Sequence, residues 1–309
     1  MNIAIAIPVY NAPLFCKECL ASLAAQETND LPVYIFDDAS EQDYRFLFQF
    51  FPSLNIKYFR NSKNLGALLN MQHSFNQISQ RHKYLMVMHE DDLLAPEFLK
   101  TVLLEIKLKN IEPKMVLSYF NEFVTSETID FETISRQTSD FKWLNKKQLV
   151  KAFLKLEPIA FGSAIYNTTA YSSMHLDFNK FEEFSDRPFL LSLLNAEDKV
   201  LVVQRPLYYY RSHGANDNRW MKLKMKHIFS LLKLYKNILE PKDVSQRKEF
   251  RKLATHFVFE SHKNLVLSKH KPRWIFYLTA ALKFGYLSPK YAFLKIKPIN
   301  RFFTFIKKM

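Results

Sequence analysis

Two pairs of adjacent aspartates, Asp37-Asp38 and Asp91-Asp92, each follow a short β-prone run, Val33 to Phe36 and Tyr84 to Met88. Ionised carboxylates accept hydrogen bonds and donate none, so such pairs suit a ligand rich in hydroxyl or N–H groups, or a hard cation. Two other ways of holding phosphate are excluded: the chain has 4 glycines, and none forms G-x-G-x-x-G or G-x-x-x-x-G-K-[ST]. Any phosphates are therefore held differently. Cys16 and Cys19 have C-x-x-C spacing, but zinc needs four ligands and the chain has no other cysteine. Both fall in a helical pattern where a thiol behaves as a small hydrophobe, so buried, inert thiols are expected.

Chemistry at strand ends depends on the elements that supply the ends. Ile3 to Val9 is a continuous apolar run punctuated by Pro8, Asn11 and Pro13, which fits a buried parallel strand. From Leu14 to Gln26, the residues Leu14, Phe15, Leu20, Leu23 and Ala24 recur at helical spacing, and Val33 to Phe36 is the next strand. Further helices are expected over Tyr44 to Phe51 and Ala67 to Ile78, and further strands over Ile56 to Phe59, Tyr84 to Met88 and Met115 to Tyr119. Pro96 stands where the first residue of a helix running to about Lys109 belongs. The alternation predicts an α/β fold, a doubly wound, mostly parallel sheet with right-handed crossovers. Ligands of such sheets bind outside the carboxyl ends of the strands, so both acidic pairs should face one crevice. Thr125 to Asp140 lacks periodicity and reads as a variable loop or lid. Phe161 to Tyr166 and Val200 to Val203 return to strand-like content, with a helix over Pro188 to Leu194.

Charge divides the chain. Residues 220–309 hold 21 of the 44 Lys and Arg but only 4 of the 30 Asp and Glu, a net +17 against −3 for residues 1–219. This predicts a body over 1–219 and a basic helical extension over 220–309 whose partner is anionic, either a membrane surface or nucleic acid. Arg273 to Met309 interleaves aromatics with Lys and Arg, as helices lying in a membrane interface do. A packed helical subdomain or a dimerisation element is the alternative. A hydrophobic content of 48% excludes a disordered chain, and no apolar run approaches the ~18 residues of a membrane span. The first residues lack the basic region and cleavage site of a secretory signal, so a cytoplasmic location without disulfides is expected.

Ile7-Pro8-Val9-Tyr10-Asn11, Phe36-Asp37-Asp38-Ala39-Ser40, Asn61-Ser62-Lys63-Asn64-Leu65-Gly66 and His89-Glu90-Asp91-Asp92 together resemble glycosyltransferase family 2, with its GT-A fold, over roughly residues 1–215. The resemblance implies an inverting, metal-dependent transfer from a nucleotide-sugar, with a UDP-sugar the expected donor and a bacterial polysaccharide or lipopolysaccharide the expected acceptor. Pro8 and Tyr10 would line the base pocket, the Tyr10 ring stacking on the nucleobase. Asp37 and Asp38 would accept from a uracil N–H or a ribose hydroxyl, an Asx turn with Ser40 being the alternative for Asp37. Asn64 and Gly66 would shape a close turn near the donor, with Lys63 towards phosphate. Asp91 above all, with Asp92, would hold Mn²⁺ or Mg²⁺, which stabilises the leaving diphosphate as a Lewis acid. His89 stands where the family writes the first Asp of Asp-x-Asp-Asp, and a neutral imidazole can also ligate such ions.

Tyr210-Arg211-Ser212-His213 resembles the family's Arg-x-His segment, which makes His213 a third metal-side ligand and Arg211 a clamp on the diphosphate. Ser185-Asp186-Arg187-Pro188 resembles its Glu-Asp segment opening a helix, with Ser185 at the Glu position, which makes Asp186 the general base. Glu182 and Glu183 are the substitutes if the register slips. Attachment to the inner face of the cell membrane would bring the enzyme to a lipid-carried glycan. His89 and Ser185 keep open an inactive glycan- or partner-binding subunit, a homo-oligomer is left open, and nucleic-acid binding has only the tail's charge behind it, without a motif.

Overall fold

The computed structural model describes residues 3–28, 30–124, 141–169, 185–213 and 225–261. Thr125 to Asp140, Glu182 and Glu183, and the aromatic, basic stretch Arg273 to Met309 lie outside the described residues.

The chain divides into two compact units. One comprises Met1–Lys146, Pro158–Asp177 and Phe189–Asn216, and the other Lys147–Glu157, Phe178–Pro188 and Asp217–Met309. Among the described residues the first unit has nine strands: β1 Ile3–Val9, β2 Pro32–Asp37, β3 Asn55–Arg60, β4 Tyr84–Val87, β5 Leu93–Leu94, β6 Met115–Val124, β7 Phe141–Leu144, β8 Ile159–Asn167 and β9 Val200–Ser212. They form one sheet in the order β3-β2-β1-β4-β8-β6-β9-β5, with β7 also paired to β9.

The β3-β2-β1-β4 half is parallel throughout, as the alternation of strands and helices requires. Its crossovers run through α1 Pro13–Ala24, the 3-10 helix Tyr44–Phe50 and α2 Ala67–Ile78. β1 is covered on both faces: Ile3, Ile5, Ile7 and Val9 on one and Ala4 and Ala6 on the other are all at most 4% exposed. Burying each Ile or Val side chain contributes roughly 1.5–3 kcal/mol. Pro8 has no N–H to give, and it sits beyond the last residue of β1 that β4 pairs, Ala6. In the other half β8 runs antiparallel to both β4 and β6, while β6 and β9 are parallel.

Three local expectations differ from the structure. Tyr44–Phe50 is a 3-10 helix started by Asp43, whose side chain accepts from the Arg45 N–H, and it stops at Phe51, which leaves helical geometry with φ −130° and ψ 58° just before Pro52. Pro96 lies before the cap Glu97 of α3 Phe98–Lys109 rather than inside its first turn. Strand β9 runs nine residues past Val203, because β6 and β5 both extend its pairing.

The second unit gathers most of α4 Lys146–Leu154, the start of α5 Asp186–Ser192, and α6 Met225–Leu239 and α7 Val244–Ser261. Lys147 faces Glu240 at 3.5 Å and Lys151 faces Glu249 at 2.8 Å. The Arg187 guanidinium lies over the Phe153 and Phe257 rings at 5.1 and 5.8 Å. Among the described residues, no helix is long and apolar enough to cross a membrane.

Candidate active site

Asp37 closes β2 and Asp38 follows it, and both are buried, at 0% and 1% exposure. Asp37 Oδ1 accepts from the Ser40 N–H at 2.8 Å, a local side-chain-to-backbone bond that closes on the third residue rather than on the second as in an Asx turn. Its Oδ2 accepts from the Tyr58 hydroxyl and lies 3.7 Å from Arg60 Nε. Asp38 Oδ1 accepts from Asn61 Nδ2 and from the Leu65 N–H, each at 2.8 Å, and Oδ2 from the Gly66 N–H at 2.8 Å. Leu65 and Gly66 lead into α2, so Asp38 places its charge where a helix N-terminus is electropositive and its amides lack partners. Asn64 Oδ1 also accepts from the Gly66 N–H, at 2.7 Å. Gly66 has φ +86°, a left-handed backbone that explains the glycine there. The turn Asn61–Gly66 is thus built on Asp38.

Asp91 and Asp92 follow β4 on the other side of β1, and here the pair is split. Asp92 is fully buried: Oδ1 accepts from the Arg211 N–H at 2.9 Å and Oδ2 from the Tyr208 hydroxyl. Asp91 keeps its side chain one-fifth exposed, and its Oδ2 meets His213 Nε2 at 2.9 Å. Arg211 is buried, at 1% exposure, with its guanidinium between Phe15 and Phe123 at 4.7 and 4.6 Å. Its Nε donates to the Asp91 carbonyl at 2.7 Å and its NH2 to Glu18. The resemblance makes Arg211 a clamp on the diphosphate; in this structure its guanidinium meets the Asp91 carbonyl and Glu18. Gly162 is packed under this group, for a Cβ there would lie 2.2 Å from the Tyr208 hydroxyl oxygen.

The donor set fits a divalent cation. His89, Asp91 and Asp92 can each bring a ligand atom within 4.8 Å of one another. Oxygen and imidazole donors of this kind suit Mn²⁺ or Mg²⁺. Asp92 already satisfies two buried donors, so Asp91, with His213 and His89 beside it, is the carboxylate free to turn to a ligand. His89 Nδ1 lies 3.4 Å from Asp92 Oδ2 and its side chain is more than one-third exposed.

Tyr10, 47% exposed, projects from the loop after β1. Its N–H donates to Glu90 Oε1 at 2.7 Å, and Glu90 Oε2 accepts from the Tyr44 hydroxyl at 3.0 Å. Burial, with the charges of Asp91 and Asp37 adding to it, pushes the Glu90 carboxyl up to about 8 although these two hydrogen bonds oppose the shift. Glu90, Tyr44, Tyr208 and Glu18 were not singled out in the sequence. Only Glu90 carried a signal, as the one ionisable residue inside the His89–Asp92 motif without a role. Cys16 and Cys19 are buried and free, and burial raises both thiols, which keeps them protonated and inert. Asp186 is the first residue of α5, half-buried, with Pro188 in the same first turn, and it belongs to the second unit.

This fold, a parallel sheet half with acidic strand ends extended by antiparallel strands, is the GT-A fold of several solved glycosyltransferases. The chain superimposes on S. aureus TarS with a TM-score of 0.60 at 16% identity, over 88% of this chain and 46% of TarS. It superimposes on residues 1–349 of TarS in complex with UDP-GlcNAc with a TM-score of 0.56 at 16% identity, over 90% and 80% of the two chains. A mannosyltransferase from Pyrobaculum calidifontis, PcManGT, in complex with GDP-Man and Mn²⁺, gives a TM-score of 0.53 at 13% identity, over 91% and 86%. Residues 4–118 match the model of Glycosyl transferase family 2. In sequence it is 21% identical over 239 residues to Glycosyltransferase GlyA of Streptococcus pneumoniae serotype 4, covering 73% of this chain. The chain spans 33% of the length of GlyA and less than half of full-length TarS.

Proposed function

We propose that this chain is a metal-dependent, inverting glycosyltransferase that moves a sugar from a nucleotide-sugar, a UDP-sugar first among candidates, to a polysaccharide or lipopolysaccharide acceptor. The observation that carries the reading is Asp91: a partly exposed carboxylate at the carboxyl end of β4, held by Arg211 through its backbone and facing His213. Support for the donor class comes from the neighbours of this fold that bind UDP-GlcNAc and GDP-Man.

A divalent cation bound by Asp91, His213 and His89 would neutralise charge on the departing diphosphate. Asp92 and Arg211 would act by holding those ligands in place. Asp37, Asp38, Asn64 and Gly66 would act in the same way on the turns that cradle the nucleotide, and the exposed Tyr10 ring would stack on its base. The acceptor oxygen would bond to the anomeric carbon as the bond to the diphosphate oxygen breaks, with the Asp186 carboxylate taking the acceptor's hydroxyl proton. The basic C-terminal region would bring the enzyme to the anionic inner face of the membrane, where a lipid-carried acceptor is presented.

Calorimetric titration with UDP and with GDP, each in Mn²⁺ and in EDTA, tests the donor side. Metal-dependent binding of UDP is expected, and binding of neither nucleotide would leave the inactive-subunit reading that His89 and Ser185 suggest. Asp186→Asn should abolish transfer while UDP affinity is unchanged, and retained turnover would remove Asp186 as the base.

A further inference from the structure

Three consecutive amides after β1 are each taken by a side chain from another motif. The Tyr10 N–H donates to Glu90 Oε1 at 2.7 Å, the Asn11 N–H to Ser40 Oγ at 3.1 Å and the Ala12 N–H to the Tyr44 hydroxyl oxygen at 2.7 Å. The loop turns at Asn11, whose φ of +53° is left-handed, and Asn11 Oδ1 accepts from the Glu41 N–H at 2.8 Å. Ala12 is the cap residue of α1, and the Tyr44 hydroxyl accepts from its N–H, the amide that the N3 side chain of a capping box would otherwise take. That same hydroxyl donates to Glu90 Oε2 at 3.0 Å. One half-buried carboxyl thus reaches both ends of the turn that displays the Tyr10 ring, directly at Tyr10 and through Tyr44 at Ala12. Glu90 is also covalently next to Asp91, the carboxylate at the cation end of the site.

We infer that Glu90 is a positioning residue that latches the Tyr10 loop to the Asp91 loop, so that the base-stacking and cation-binding parts of the donor site form one preorganised surface. The inference rests on the nucleotide-donor reading above. Its face towards Tyr10 and Tyr44 makes Glu90 a strut between loops. Two acceptors on one rigid carboxyl fix both the position and the tilt of the turn, which limits the ordering that nucleotide binding would otherwise require.

The test is a double-mutant cycle read by UDP titration in EDTA and in Mn²⁺, with the donor KM and kcat measured alongside. Glu90→Ala should weaken UDP about tenfold in EDTA as well as in Mn²⁺ and raise the donor KM more than it lowers kcat. In a Tyr10→Ala background the same change should have little further effect, since the residue acts through Tyr10. Glu90→Gln, which keeps an acceptor for the Tyr10 N–H, should recover most of the loss. Tyr44→Phe removes only a hydroxyl and should weaken UDP by a smaller factor that also vanishes in the Tyr10→Ala background, which keeps the test open should Glu90→Ala not fold. Additive losses, or a loss confined to Mn²⁺, would overturn the latch. So would an unchanged affinity in Glu90→Ala, or in Tyr10→Ala itself. Failure of the wild-type chain to bind any nucleotide would instead sink the donor reading beneath it.

Discussion

The dipeptide Asp-Asp occurs at the ends of β2 and β4, the two strands that flank β1, and the two copies do different work. Asp37 and Asp38 are both buried and turn to protein donors: the Ser40 amide, a tyrosine hydroxyl, an asparagine and two amides leading into α2. At β4 the division of labour runs within the pair. Asp92 turns inward to Tyr208 and Arg211, and Asp91 stays at the surface with His213. Carboxylates next to one another therefore need not share a function: Asp91 lies in the turn after β4, while Asp92 leads into β5, which pairs with β9. A buried aspartate surrounded by amides shapes a loop, and the partly exposed Asp91, held by its backbone, is the one we propose meets a ligand.

Substitutions can break this contrast. The largest loss is expected for Asp92→Ala, which strands the Tyr208 hydroxyl and the Arg211 amide in the interior. It should cost on the order of 3–5 kcal/mol in urea unfolding and take activity with it. Asp91→Asn should lower turnover on the order of 10²- to 10³-fold while the thermal midpoint barely moves, since the change falls at a partly exposed group that keeps an acceptor for His213. A large drop in midpoint for Asp91→Asn would erase the distinction between the two. Asp38→Ala should cost about 2–3 kcal/mol in unfolding, by removing the acceptor for the turn into α2. Its nucleotide affinity should fall through the misplaced Asn61–Gly66 turn, so hydrogen exchange at Leu65 and Gly66 should rise in parallel. Exchange left unchanged would mean that Asp38 meets the ligand directly.

Much of the scaffold was legible locally. β1 and α2 have the bounds read from the sequence, Ile3–Val9 and Ala67–Ile78, because a buried parallel strand is a plain apolar run and a helix entered through Gly66 declares its start. The same periodicity placed both acidic pairs after strands. Burial of Cys16 and Cys19 also followed from their helical spacing. Three-residue turns at Tyr44–Phe50, with Pro52 beyond them, were not separable from an α-helix by apolar spacing, since both patterns repeat aromatics every three to four positions.

What the sequence by itself determined is therefore which residues stand at the rim of the sheet and the family they resemble, since strand ends and motif order are properties of short, contiguous segments. The tertiary structure alone decided which of those residues turn inward. Asp92 is buried because Tyr208 and Arg211 arrive from β9, 116 and 119 positions later, and Glu90 reaches Tyr10 across 80 positions. The antiparallel insertion of β8 between β4 and β6 is of the same kind. Hydrogen bonds between segments so far apart depend on which strands become neighbours, and that is settled by the packing of the whole sheet and not by the residues on either side of a motif.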